Sequence, residues 1–167
     1  PEAWISNGNF RATIYNRPMA IWAMERAYAM RPAGCTAVAS TFENTNYPAA
    51  LAIDGNLATR WSSAAMDDQW IFIDFVVPMR FDTLELTWEA AFASAYRIQV
   101  SGNAIDWMDI FTTDSATGGV EVVHVGAQTS RYVRLYFDQR ATPWGVSLWE
   151  IQVFRQMPPA PDLLIAP

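Results

Sequence analysis

Two segments that lie far apart in the chain carry oxygen groups suited to binding a metal ion. Asp54 and Gly55 predict a tight turn, and the hydroxyl of Thr59 follows shortly after it. Glu150 lies in the last predicted strand and can approach the same turn once the chain folds. Hard oxygen ligands around a tight turn are what Ca²⁺ prefers, with backbone carbonyls completing the shell. We therefore predict a calcium site that includes Asp54, Thr59 and Glu150.

The sequence offers few residues that could form a catalytic site. His124 is the single histidine, and its place in an alternating apolar segment favours a structural role. Cys35 is the single cysteine, so the chain forms no internal disulfide, and one cysteine with one histidine is too few for a transition-metal site. Glu43 and Glu89 could in principle act as the acid and base of a glycosidase, but no Ser-His-Asp set or phosphate loop accompanies them. We therefore expect a protein that is not an enzyme.

The composition is that of a folded, acidic domain. The chain has 167 residues, of which 51% are hydrophobic and 17% are charged, enough for one domain with a buried core. Its net charge at pH 7 is −6, and all eleven basic residues are arginine. An acidic surface without lysine repels phosphate backbones and anionic lipids, so we expect neither nucleic acid nor a membrane surface as a partner. No apolar segment is long enough to predict a membrane span.

From Cys35 onward the pattern is that of an all-β domain. Apolar or alternating segments predict strands at residues 69–75, 81–87, 96–100, 107–111, 120–125, 132–137 and 147–153. Turn-forming residues separate these segments, with Pro78 between the first two. Seven or eight strands without a helical period between them predict two antiparallel sheets packed face to face, a β-sandwich or jelly roll. The tryptophans expected in its core are Trp61, Trp70, Trp88 and Trp149.

The flanking segments differ from this domain. The predicted organisation is an N-terminal arm, a sandwich and a proline-rich tail, at residues 1–34, 35–155 and 156–167. Pro18 suits the first turn of a short amphipathic helix in the arm, and Pro32 suits its end. The arm also carries more large apolar side chains than a linker exposes. It either folds back and covers a sheet edge of its own sandwich or docks on a neighbouring subunit.

Eight short motifs occur in the order seen in discoidin domains, which are also called coagulation factor 5/8 type C domains. They lie at residues 39–40, 52–55, 59–62, 69–71, 88–89, 96–101, 131–134 and 144–150. The sequence most resembles the bacterial carbohydrate-binding modules of family 32, in the galactose-binding-like superfamily. The resemblance implies a β-sandwich and a structural calcium. Its ligands would be the side chains predicted above and the carbonyls of Leu51, Asn56 and Trp149.

The resemblance also implies a non-catalytic module that binds polysaccharide or glycan through loops at one end of the sandwich. Such a site needs an aromatic ring for the C–H face of a pyranose, and carboxylates, amides or arginine for its hydroxyls. Three loops offer these groups, and the predicted sugar-binding residues are Glu43, Tyr47, Glu89, Arg140 and Trp144. Glu43 resembles the position of a sugar-contacting glutamate in chitosan-binding relatives. The acidic loops favour amino-sugar polymers.

Two interpretations of the function therefore remain. In the first, the domain is a secreted carbohydrate-binding module that holds an attached enzyme or a cell surface against a polysaccharide. In the second, it is a structural or adhesion subunit of an extracellular filament or surface layer, and its two terminal arms dock onto copies of itself. Arg60, which lies between the predicted metal turn and a core tryptophan, is interpreted as an internal ion-pair partner in both.

Overall fold

The computed structural model describes residues 32–155, and in this range the fold is all-β. The strands are β1 (Thr36–Ala39), β2 (Trp61–Ser62), β3 (Gln69–Trp88), β4 (Ala93–Ser101), β5 (Met108–Thr113), β6 (Val120–Arg140) and β7 (Ser147–Phe154). A short 3₁₀ helix (Ala49–Ala52) precedes β2. All strand pairs are antiparallel. The predicted antiparallel β fold is confirmed, whereas the helix expected in the N-terminal arm lies outside the described residues.

Strands β3 and β6 form one long two-stranded ribbon that takes part in both layers of the sandwich. In one layer, residues 69–74 of β3 pair with β1 and with residues 132–137 of β6, and β4 and β5 follow. In the other layer, residues 83–87 of β3 pair with β7 and with residues 120–124 of β6, and β2 pairs with β7. A five-stranded and a four-stranded layer therefore share the same two strands.

The ribbon folds back on itself near its middle. The rings of Phe75 and Phe81 lie 6.1 Å apart, whereas six residues of straight strand span about 20 Å. Val76 has a φ of 70°, and the register of β3 against β6 shifts beside it. The prediction that Pro78 separates two strands was wrong, because β3 continues through it: the pairing with β6 skips residues 75–78 as a bulge and resumes at Met79. Likewise, the segments predicted on either side of Gly126 (φ 69°) are one strand.

Aromatic rings from both layers meet in the core. Phe137 of the five-stranded layer lies 5.9 Å from Trp61 and 5.8 Å from Trp88, both of the four-stranded layer, measured between ring centroids. Trp61 and Trp88 are buried, as predicted. Trp70 and Trp149 are only half-buried, so their assignment to the core was wrong. The alternation of β3 turns Trp70 outward from the core, because its neighbours in sequence point inward.

The two ends of β3 meet at the end of the sandwich opposite the bend. Gln69, at its start, pairs with Phe137, and the Phe137 ring contacts Trp88 at the other end of β3. The loops after β1, β3 and β6 gather at this end, which we call the loop end. Within residues 32–155, no helix is long and apolar enough to cross a membrane.

Candidate glycan-binding site at the loop end

An arginine joins two of the predicted sugar-binding residues at the loop end. The guanidinium carbon of Arg60 lies 4.0 Å from the centroid of the Tyr47 ring, and Arg60 Nη2 lies 3.8 Å from Glu43 Oε2. Arg60 Nη1 also donates a hydrogen bond of 2.9 Å to Ser147 Oγ. The Glu43 side chain is 49% exposed, against 20% for Arg60. The arginine therefore fixes the tyrosine ring from one side and leaves the Glu43 carboxylate open to solvent.

Backbone hydrogen bonds with Ser147 hold the loop of Glu89 at the same end of the molecule. The Glu89 N–H donates to the Ser147 carbonyl at 3.1 Å, and the Ser147 N–H donates to the Ala91 carbonyl at 2.7 Å. The Ser147 hydroxyl accepts from Arg60 and donates to the Trp61 carbonyl. Glu89 Oε2 accepts a hydrogen bond of 3.0 Å from the Ala91 N–H, so one carboxylate oxygen already closes a turn within its own loop.

Trp144 presents an open ring on the loop between β6 and β7. The residue is 65% exposed. Arg140 Nη1 donates to the carbonyls of Pro143 and Trp144, each at 3.2 Å, and Arg140 Nε donates to Asp67 Oδ1 at 2.9 Å. The hydrogen bond from Arg140 holds the pKa of Asp67 below its usual range. Arg140 therefore braces the loop that carries Trp144.

Gly145 lets this loop pack against the segment that follows β2. A Cβ atom built on Gly145 would lie 2.8 Å from the Ala64 carbonyl oxygen and would overlap that of Ser63. The Val146 N–H donates to Ser63 Oγ at 2.8 Å, and the Ser63 N–H donates to the Val146 carbonyl at 2.8 Å. Only glycine allows so close an approach of two backbones. The close packing of Gly145 thus sets the position of the Trp144 ring.

The same segment also positions the first loop. The Glu43 N–H donates to the carbonyl of Ser62 at 2.7 Å, and the Tyr47 carbonyl accepts from the Ser62 N–H at 3.4 Å. Strand β2 and the residues just after it therefore lie between the loop of Glu43 and the loop of Trp144. The structure brings the predicted residues Glu43, Tyr47, Glu89 and Trp144 to one end of the sandwich.

Arg60 is the residue of this cluster that the sequence analysis left out of the sugar site. Its interpretation as an ion-pair partner agrees with the Glu43 contact. Its contacts with the Tyr47 ring and the Ser147 hydroxyl depend on how the loops fold, and Ser147 is 87 residues away in sequence. A motif in a single segment does not carry that information.

The side chains predicted to bind calcium meet at the turn after the 3₁₀ helix. Thr59 Oγ1 donates to Asp54 Oδ2 at 2.7 Å, and the Gly55 N–H donates to Glu150 Oε2 at 2.9 Å. Glu150 is 1% exposed, whereas Asp54 is exposed to solvent. The carbonyl of Asn56 accepts from Thr59 Oγ1 at 2.9 Å. Two carboxylates, a hydroxyl and a carbonyl thus surround one turn.

This oxygen set fits a hard divalent cation. Within the described part of the chain, no group of three or more aspartate, glutamate, histidine or cysteine side chains is arranged so that it could hold a metal ion by itself. A cation at this turn would therefore depend on backbone carbonyls as well as on Asp54 and Glu150. The predicted carbonyl ligands are those of Leu51, Asn56 and Trp149, and their role stays a prediction.

The chain is similar to a known domain family and to solved structures. The family model of the F5/8 type C domain matches residues 36–151. Chitosan-binding module 1, derived from the chitosanase/glucanase of Paenibacillus sp. IK-5, is 38% identical, with a TM-score of 0.70 over 75% of this chain and 96% of the module. Module 2 of the same enzyme, solved in complex with chitotriose, is 34% identical, with a TM-score of 0.71 over 75% and 98%.

A curated relative is much longer than this chain. The polysaccharide lyase 8 family protein HylA of Enterococcus faecalis is 32% identical over 80 residues, which are 46% of this chain and 6% of that protein. The chain thus matches only about 6% of the length of that relative. The family resemblance carried by the sequence motifs is confirmed by the match over residues 36–151. The chain belongs to the F5/8 type C domain family.

Proposed function

We propose that this domain is a non-catalytic carbohydrate-binding module that binds amino-sugar polysaccharides of the chitosan type at its loop end. The observation that carries the proposal is the grouping of an open carboxylate, Glu43, with the Tyr47 ring and the exposed Trp144 ring around strand β2. A carboxylate binds the ammonium group of a glucosamine unit through charge-assisted hydrogen bonds. An exposed ring packs against the apolar face of a pyranose.

The parts of the site have different roles in this proposal. Trp144 supplies the stacking surface, because its ring is the more exposed of the two. Glu43 and Glu89 supply carboxylates, with one oxygen of Glu89 already bonded to its own loop. Arg60 and Arg140 orient the loops, because their guanidinium groups are occupied by contacts within the protein.

The chitosan-binding modules support this choice of ligand. Both modules are more than 30% identical to this chain, and the match covers nearly all of each module. One of them was solved with chitotriose, a short oligomer of the proposed ligand class. In a longer secreted protein, such a module would hold an attached enzyme or a cell surface close to its polysaccharide.

The proposal includes a structural Ca²⁺ at the Asp54 turn. Asp54, Thr59 and Glu150 would hold the ion together with carbonyls of Leu51, Asn56 and Trp149. The ion would neutralise a pair of carboxylates, one of which is buried. Its effect would be to stiffen the segment that leads directly into Arg60.

The alternative of a structural or adhesion subunit depends on the two terminal arms. Almost all of both arms lies outside residues 32–155, so the described residues bear on glycan binding and not on assembly through the arms. Glycan binding is therefore the function that the described residues support best.

Calorimetry of the full chain with chitotriose tests the proposal. Glu43→Gln removes the charge and keeps the size, and Trp144→Ala removes the ring. Each is expected to weaken binding roughly tenfold or more, the equivalent of a lost charged hydrogen bond or stacking contact. Ile105→Ala is a matched control, because Ile105 is 78% exposed in the turn after β4, at the opposite end of the sandwich. Undetectable binding of chitotriose by the unmodified chain, or equal affinities for all variants, would refute the proposal.

A further inference from the structure

A second concave surface lies on the side of the sandwich. The four-stranded layer ends at the first half of β6, while the five-stranded layer continues past β6 with β4 and β5. The overhang forms one wall of an open lateral pocket of about 280 Å³. Its lining includes Tyr96, Phe111, Thr113, Ser115, Glu121 and Val123. None of the residues assigned to the loop-end site lines this pocket.

The Glu121 carboxylate in this pocket is held by two donors from the core. Trp88 Nε1 donates to Glu121 Oε2 at 2.7 Å, and the Tyr96 hydroxyl donates to the same oxygen at 3.1 Å. Burial, together with the charge of Glu121, raises the pKa of Tyr96 above its usual range, so this hydroxyl stays protonated and donates at neutral pH. Both bonds reach Oε2, and Oε1 carries neither of them. The carboxylate is thus oriented before any ligand arrives.

The opposite wall of the pocket supplies an aromatic ring and hydroxyls. Phe111 is half-buried, and its ring lies 5.9 Å from the Tyr96 ring at an angle of 40°. The Thr113 hydroxyl accepts from the Ser115 N–H at 3.3 Å, which leaves the hydroxyl hydrogen able to donate. A carboxylate, hydroxyls and a ring are the groups that bind a pyranose.

The volume of the pocket and the charge of its carboxylate indicate which class of ligand it can bind. Pockets for drug-sized ligands begin at about 300 Å³, so a volume just below this limit suits a single sugar ring. A fixed carboxylate interacts more strongly with an ammonium group than with a neutral hydroxyl. The net charge of −6 on the chain also attracts a cationic ligand.

We propose that the lateral pocket is a second saccharide site, which takes one amino-sugar unit with its ammonium group on Glu121 and its ring against Phe111. The inference rests on the residues of the pocket and does not require the loop-end site to bind chitosan. Together with the loop-end site, it predicts two independent binding events on one domain.

A nuclear magnetic resonance titration of the ¹⁵N-labelled full chain with glucosamine tests this second site. Amide signals of residues 113–116 and 121–123 are expected to shift. Glu121→Gln keeps an oxygen acceptor for Trp88 and Tyr96 but removes the charge, and should weaken these shifts about tenfold. Thr113→Val changes a different wall of the pocket and should also weaken them. Glucose, which lacks the ammonium group, is expected to bind less tightly than glucosamine.

The two proposals fail in distinguishable ways. Glu43→Gln should weaken the shifts that chitotriose causes at residues 43–47 and leave the lateral shifts with glucosamine unchanged. The lateral site is overturned if glucosamine shifts no signals at residues 113–116 and 121–123, or if those shifts persist undiminished in both Glu121→Gln and Thr113→Val. The spectrum of each variant shows whether that variant is folded. If Glu121→Gln does not fold, the shifts measured with Thr113→Val decide whether the lateral site exists.

Discussion

Replacing Arg60 by lysine keeps the positive charge at the loop end but removes the planar group that joins its loops. The guanidinium contacts the Tyr47 ring at 4.0 Å, donates to Ser147 at 2.9 Å and lies 3.8 Å from Glu43. A lysine ammonium is a compact group that cannot maintain all three contacts at once. The substitution therefore separates the geometry of the cluster from its charge.

The expected cost follows from these contacts. Stacking on a partly exposed ring contributes about 0.5–1 kcal/mol, and the hydrogen bond to Ser147 about 1 kcal/mol. The ion pair contributes little, because Glu43 is half exposed and lysine can still form it. Arg60→Lys should therefore lower the free energy of unfolding by about 1.5–2 kcal/mol, which for a domain of this size lowers Tm by roughly 5 °C. Chitotriose affinity should fall roughly fivefold, because Tyr47 loses its support.

Thermal unfolding and calorimetry with chitotriose provide the two measurements. Arg80→Lys is the matched control, because it makes the same change at an exposed position near the bend of the ribbon. If Arg60→Lys unfolds within about 1 °C of the unmodified chain and binds chitotriose equally well, the three contacts contribute nothing, and the reasoning is refuted.

Three further predictions concern the loop, the turn and the outer face. Gly145→Ala should displace Trp144 and weaken chitotriose binding roughly tenfold with little change in circular dichroism, because the added Cβ meets backbone oxygens; unchanged affinity would contradict this. Chelation of Ca²⁺ should lower Tm, and Asp54→Asn should abolish that difference; equal Tm values with and without chelator would exclude the ion. The hydrogen bonds from Arg131 hold the pKa of Asp74 below its usual range. The stability that they provide is therefore present above about pH 4 and is lost as the pH falls through the lower pKa of the folded state. Asp74→Asn should flatten the acid side of a curve of Tm against pH, and an unchanged curve would contradict this prediction.

Most of the strands were predictable because one face of β3, β4, β6 and β7 is buried. Alternation of apolar and polar side chains located all but the two shortest strands, β1 and β2, which offer too few residues to show a period. The continuity of β3 through Pro78 was not predictable, because proline and glycine mark both the end of a strand and a bulge within one. The hydrogen bonds on either side of the bend decide between the two, and those depend on the partner strand.

The candidate site was predictable in part. Glu43, Glu89 and Trp144 were selected because loop residues of these types suit a sugar, and the structure places them at one end of the sandwich; their role in binding stays a prediction. Arg60 was not assigned to the site, because its role depends on loops that meet only after folding. The lateral pocket left no signal in the sequence, since it results from one layer being wider than the other.

The folded ribbon has a consequence for how such a domain can change its ligand. On either side of the bend, the same two strands pair within each layer (Asp74 with Tyr132, and Met79 with Ser130), so a long insertion at the bend would disturb the alignment of the two layers. The loops at the opposite end begin where strands stop pairing, and their length does not affect that register. Loop exchange at this end should therefore yield folded domains with new sugar preferences, whereas the same exchange at the bend should yield unfolded ones.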